Sequence, residues 1–317
     1  VFDMKADKTF TPRQQLTKFS GEAFAEAAVT FIEGHNSDKP FFVYVSFTHP
    51  HDPRTSPPPY DTMYDPKKLP LPESYMPVHP FDNGDMTLRD EKLLPWPRTK
   101  EAVRQETADY YGKITFMDTQ IGRGIAAVEK KGKLDNTIIV FSSDHGLALG
   151  RHGLLGKQSL YDHSMRSPLV FAGPGVPKGE SDAMNYLLDI FPTVFDLAGV
   201  EKPKDIEGIS LAPAITGKSD AKAGRDALLL AYRDVQRAVR TDGWKLIVYP
   251  KINKTQLFDL KNDPQEMHDL AGDPGQAKRI AGLREQLEAL QRQYDDKAPL
   301  ASDKPRPADF TPPGKRR

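Results

Sequence analysis

Cysteine is absent from all 317 residues. The chain therefore carries no disulfide, no thiolate metal site and no cysteine nucleophile. Cytoplasm and periplasm are both compatible with that. Charge imbalance is absent as well: 44 Lys and Arg stand against 44 Asp and Glu. Nothing in that balance calls for a nucleic-acid surface or an anionic membrane. No apolar run approaches the roughly 18 to 20 residues that cross a bilayer. There is no initiating methionine, no basic-then-apolar leader and no internal repeat. Val1 to Phe10 does not read as a domain start, so the expectation is a piece of a longer protein. What remains, 38% hydrophobic with a mean hydropathy of −0.58, fits a globular chain.

Thr11-Pro12-Arg13-Gln14 has a helix-start pattern. A helix is expected from there to about Glu33, with Phe19, Ala23, Ala27 and Phe31 on its stripe. Phe41 to Phe47 is apolar at nearly every position and reads as a buried parallel strand. Twelve of the 28 prolines then fall between Pro50 and Pro97, in a connection too long to be simple. Lys100 to Lys131 reads as a long helix with Ile114, Met117, Ile121, Ile125 and Val128 along it, stopped by Gly132. Thr137 to Ser143 and Pro168 to Ala172 read as strands, and Asn185 to Gly199 as a helix. This alternation predicts an α/β fold with a mostly parallel sheet. After it come four short strand-like runs, Ala227 to Tyr232, Arg237 to Thr241, Trp244 to Tyr249 and Gln256 to Leu260. Asp242-Gly243 forms a hairpin signal, and a helix from about Gln276 to Tyr294 closes a small antiparallel sheet. The expected division is 1–222 as the α/β part, with 54–99 a proline-rich loop, then 223–295 as the small sheet and 296–317 as a disordered tail.

In parallel sheets ligands lie beyond the carboxyl ends of strands. His49-Pro50-His51 and Asp144-His145-Gly146 both fall there. Asp144 is either a turn-former or an oxygen ligand for a hard cation. His145 alone does not specify calcium. Gly146 allows a tight turn. Lys157 is either a solvated lysine or a cation for an anionic substrate oxygen. Prolines flank His51, which caps a loop or meets an oxyanion and protonates a leaving oxygen.

Taken together these segments resemble the type I sulfatases, which have the alkaline-phosphatase-like fold. The likeness rests on Pro40 to Pro53, Asp135 to Gly146, Gly153 to Tyr161, Arg166 to Val170, Asp189 to Thr193 and Gln256 to Glu266, in order along the chain. It implies that Asp144 and His145 ligate calcium, that Lys157 contacts the sulfate, and that His51 contacts it and protonates the departing alcohol. His49, Arg54, Arg151, His152, His163 and Arg166 are candidates for reading the substrate, each with a structural or surface role slightly ahead. Arg151 and His152 are carried as substrate-binding residues. The family's nucleophile is a formylglycine made from a Cys- or Ser-x-Pro-x-Arg motif. Neither that motif nor an Asp-Asp pair after a strand occurs here; Asp295-Asp296 closes a late helix. Both parts are expected upstream of Val1, in a missing N-terminal segment of the same protein.

The resemblance therefore implies a sulfuric ester hydrolase acting on sulfated carbohydrate, exported to the periplasm or secreted, with no nucleic-acid or membrane partner. Ser46 to Pro53 is also similar to choline sulfatases. The alternatives are a phosphonate or phosphate ester hydrolase of the same superfamily, a non-catalytic domain that binds sulfated glycan, and a structural subunit that pairs with a separate chain.

Overall fold

A computed structural model describes residues 17–217 and 224–313. The chain divides into two compact units, Val1–Pro70 with Glu101–Thr137, and Leu71–Lys100 with Ile138–Arg317. The proline-rich connection is thus shared between them, where the sequence reading made it one loop of the α/β part.

In the first unit, helix α1 spans Ser20–Gly34 and helix α2 spans Lys100–Lys130, lying in this unit from Glu101 onward. The helix start expected at Thr11 lies outside the described residues. The buried face of α1 is Gly21, Ala25, Ala28 and Ile32. The expected stripe is offset from it by one to two residues, and Phe31 is exposed. Both stripes are apolar at helical spacing, so the pattern alone could not rank them. Ile32 packs with Ala127 and Val128, and Phe19 meets Phe116 edge-on at 5.8 Å between centroids. The buried face of α2 includes Val103, Thr107, Lys113, Phe116 and Gln120, while Ile125 is exposed.

Residues 41–47 alternate between half-buried and exposed, with Phe42 78% and Tyr44 80% exposed. They belong to no ladder among the described residues. An extended run becomes a strand only when a neighbour takes up its backbone N–H and C=O groups.

The second unit contains strand β1 (Ile139–Ser142), the short helix α3 (Asp162–Met165), strand β2 (Leu169–Ala172), and helices α4 (Ile190–Ala198) and α5 (Ala212–Thr216). The β1–β2 pair is antiparallel, Ile139 facing Ala172 and Ser142 facing Leu169. The α/β class holds, but the parallel pairing expected for this layer is not among the described residues. Gly199 follows α4 in the left-handed conformation, at the end expected for that helix, although the α-helix itself begins at Ile190 and not at Asn185.

Four strands follow, β3 (Ala227–Tyr232), β4 (Gln236–Thr241), β5 (Trp244–Tyr249) and β6 (Lys254–Asp259), as an antiparallel meander in chain order. Asp242-Gly243 is the β4–β5 turn, with Arg240 opposite Lys245. Helix α6 (Ala277–Gln293) places Leu283 and Leu287 on Val239, Leu246, Val248 and Leu257. Ile247, Tyr249 and Phe258 face the other way, onto Phe81, Met86, Leu154, Leu160 and Tyr161. Strand alternation therefore buries both faces of this sheet.

The tail expected to be disordered is packed as far as it is described. Asp296 accepts from Arg237 Nε at 2.6 Å, Asn253 and Ser302 exchange two hydrogen bonds, and Ala308 carbonyl accepts from Asp82 N–H at 2.7 Å. Phe310 lies edge-on to Trp96. A few anchors outweigh a composition that contains little else to bury. Among the described residues no helix is long and apolar enough to cross a membrane.

Candidate active site

The end of β1 carries Asp144 outward. Its side chain is 80% exposed, and Oδ1 accepts from the His145 backbone N–H at 3.0 Å. His145 Nδ1 lies 3.0 Å from the carbonyl of Gly146. A carbonyl only accepts, so Nδ1 carries a hydrogen there, and Nε2 lies 3.5 Å from Asp144 Oδ2. Gly146 N–H donates to Ser164 O at 2.8 Å, and a Cβ at Gly146 would collide with the His163 carbonyl. That close approach explains the glycine better than turn freedom does.

A hydrogen-bonded loop then returns the chain. Ala148 N–H donates to Gly156 O at 2.8 Å and Gly150 N–H to Leu154 O at 2.8 Å. Arg151, His152 and Gly153 form the tip. Lys157 follows directly after the closing bond, so the loop that leaves Asp144 ends at Lys157. Lys157 Nζ is 3.1 Å from Asp90 Oδ2. Arg151 Nη1 donates to Ala148 O at 3.2 Å.

His152 is buried. Its Nε2 lies 3.1 Å from Glu266 O, and its ring stacks on Tyr161 at 4.1 Å between centroids. Burial holds its pKa below the ordinary histidine value. These contacts belong to the interior of the unit. Behind them, Lys245 Nζ donates to Leu160 O at 3.1 Å and pairs with Glu266 Oε1 at 2.7 Å and with Asp162. His163 Nδ1 meets Ser164 Oγ at 2.9 Å, and Arg166 is exposed.

His51 lies in the first unit. Its Nδ1 is 2.9 Å from Asp52 O and 3.3 Å from Asp52 Oδ1, and about half its side chain is exposed. The loop is held from below by Lys113, whose ammonium donates to His51 O and, at 2.7 Å, to Pro53 O. Those carbonyls explain a buried lysine on α2. Burial pulls Lys113 down from the usual lysine range, with Asp52 opposing. Arg54 is paired with Glu106. His49 packs on Phe116 at 5.2 Å and is pushed down to about 4, by burial and then by the Lys113 charge. Burial and pairing favour structural work for His49 and Arg54.

Calcium requires six to eight oxygen ligands. Asp144 supplies a carboxylate and His145 one nitrogen, and among the described residues no three His, Cys, Asp or Glu side chains gather as a metal group. The pair suits a share of such a site and does not make a whole one. Sequence reasoning passed over Asp90, Glu91, Lys113 and Lys245. The first two sit in a stretch without periodicity, and the lysines look like solvated surface residues until their carbonyl and carboxylate partners are known.

Known proteins give a consistent picture. The Sulfatase family pattern matches residues 1–200, and the pattern for N-sulphoglucosamine sulphohydrolase, C-terminal, matches residues 150–293. The chain is 37% identical over 231 residues to the N-acetylglucosamine-6-O-sulfatase of Bacteroides thetaiotaomicron, covering 69% of this chain and 40% of that protein. It is 32% identical over 281 residues to an arylsulfatase of Clostridium perfringens, covering 85% and 58%. The chain thus spans about half the length of these relatives. A structure solved in complex with its substrate D-glucosamine-2-N,6-O-disulfate superposes with a TM-score of 0.74 at 24% identity, covering 94% of this chain and 74% of that one. The phosphonate monoester hydrolase of Agrobacterium radiobacter superposes with a TM-score of 0.73 at 28% identity, covering 87% and 62%. With the family pattern spanning most of the chain and the α/β fold shared with these structures, the chain belongs to the type I sulfatase family.

Proposed function

We propose that this chain forms part of a formylglycine-dependent sulfatase that removes sulfate from a carbohydrate. The observation that carries the reading is the hydrogen-bonded loop closed between Ala148 and Gly156, which lies between Asp144 and Lys157 in the chain. It sets an outward carboxylate at the end of a strand and a lysine at its return, the two residue types the family uses for metal and sulfate. Asp144 and His145 are assigned as two members of a calcium ligand set completed by other residues of the protein. Bound calcium would supply positive charge against sulfate oxygens. Lys157 neutralises a sulfate oxygen through its ammonium. His51 has its Nδ1 committed at the Asp52 carbonyl, so Nε2 is the atom that delivers a proton to the departing alcohol oxygen. Arg151, at the loop tip, is the better placed of the two substrate-reading candidates; His152 supports the loop from the interior. No residue of the 317 lies in a Cys- or Ser-x-Pro-x-Arg context, so the nucleophile is assigned to another part of the protein. Support for a carbohydrate substrate comes from the relative named for N-acetylglucosamine-6-O-sulfate, and the family's habit of export supports a periplasmic or secreted enzyme.

The test is kinetic, in the complete enzyme. Lys157→Ala and His51→Ala should each lower kcat/KM for a sulfated N-acetylglucosamine by about 100-fold or more. Unchanged rates in both would sink the assignment. The likeness to a phosphonate monoester hydrolase supports a second reading, because sulfate and phosphonate esters share a tetrahedral oxyanion. Faster hydrolysis of a phosphonate monoester than of the sulfate ester would favour it.

A further inference from the structure

The turn at residues Asp90–Leu93 lies under the Lys157 loop, and its two adjacent acids grip different parts of it. Glu91 holds the backbone. Its Oε1 accepts from Gly156 N–H at 2.8 Å and from Leu155 N–H at 3.1 Å, and its Oε2 lies 3.0 Å from the same Leu155 N–H. Arg98 locks Glu91 in turn: Nη2 donates to Oε2 at 2.7 Å and to the Glu91 carbonyl at 2.8 Å. Arg98 is completely buried, with its guanidinium 4.1 Å from the Trp96 ring centroid. Asp90 holds the side chain. Its Oδ2 is 3.1 Å from Lys157 Nζ and accepts from Gln158 Nε2 at 2.8 Å, while Gln158 Oε1 accepts from Lys157 N–H at 3.0 Å. Gly156 is what permits the approach: a Cβ there would stand 3.0 Å from Asp90 Cβ and 3.1 Å from Glu91 Oε1.

We infer that Asp90 and Glu91 are the positioning residues for Lys157, fixing its backbone from one carboxylate and its ammonium from the other. The inference rests on the sulfatase reading for what Lys157 does, and on geometry alone for how it is held. A free lysine loses rotamer entropy when its charge is fixed. A lysine already held by a part-buried carboxylate has lost much of that freedom before substrate arrives. An ammonium carries three donors, so Asp90 can orient it without being its sole acceptor. The Asp90 carboxyl sits below its ordinary range; burial pushes it up, and the hydrogen bonds from Gln158 and Lys157 outweigh that.

Two measurements test this, the first of them independent of the function. In the 317-residue chain, Glu91→Gln should raise amide hydrogen exchange at Leu155 and Gly156 about tenfold or more, with Leu246 and Val248 unchanged. Unaltered exchange at Leu155 and Gly156 overturns the backbone role. In the complete enzyme, Asp90→Asn should lower kcat for a sulfate ester about tenfold, yet less than about twofold once Lys157 is already alanine. An equal loss in both backgrounds means Asp90 acts elsewhere and overturns its role. A Lys157→Ala enzyme with unaltered kcat overturns the sulfatase reading of Lys157, and the exchange result still decides whether Glu91 holds the loop. Should Glu91→Gln not fold, the Asp90→Asn comparison stands on its own.

Discussion

Gly146 and His79 show how narrowly single positions are constrained. At Gly146 the limit is space. Gly146→Ala should displace the loop from the His163 carbonyl and cost about 1–3 kcal/mol, read as a lower midpoint in urea unfolding. At His79 the limit is charge. Its ring is buried, with Nδ1 2.6 Å from His152 O, and burial pushes its pKa down to about 4. The unfolded value is near 6.5, so the folded state resists the proton. The resulting stability is present above about pH 6.5 and is lost as pH falls through about 4. The imidazole resonances of His79 should therefore not titrate between pH 8 and pH 5.5. A midpoint near 6.5 would contradict its burial.

At the scale of elements, α6 and the tail stabilise the small sheet by different means. Leu287 is fully buried between α6 and the strands. Leu287→Ala should cost about 2–5 kcal/mol, through lost transfer energy plus a cavity. The tail works through polar anchors. Asp296 takes two bonds from the mostly buried Arg237, at 2.6 and 3.0 Å. Asp296→Ala leaves that guanidinium without its carboxylate and should cost about 1–3 kcal/mol, checked by thermal unfolding. A change below about 0.5 kcal/mol would mean the tail adds nothing. The run 41–47 is the opposite case: largely apolar, alternately exposed and outside any described ladder. Such an edge invites another strand.

For the whole molecule, composition limits what the chain can do by itself. With no cysteine and no serine in a Cys- or Ser-x-Pro-x-Arg context, none of the 317 residues fits the proposed formylglycine nucleophile, and Asp144 with His145 would supply only a fraction of the proposed calcium shell. The expected outcome for the 317-residue chain is no detectable hydrolysis of a sulfate ester and no calcium binding tighter than the millimolar range by calorimetry. Calcium-dependent turnover by this chain would refute the assignment of the nucleophile to another part of the protein.

Much of the molecule is legible in its sequence. The meander, its Asp-Gly turn, α6 and the stop of α4 all follow from local chemistry, because turn residues and periodicity act over a few positions. The family followed from the order of several short segments, none specific alone. Other features are properties of neighbours that sequence distance hides. They include the phase of α1, the antiparallel β1–β2 pair and the packed tail. They also include the burial of His152 and the two acids beneath Lys157. Asp90 is 67 residues from Lys157 in the chain, yet its carboxylate lies 3.1 Å from the ammonium. The sequence by itself determined which chemical groups are available and which turns they sit on. Only the tertiary structure decided which of them are buried, paired and held in place, because burial and pairing depend on what the rest of the chain brings alongside.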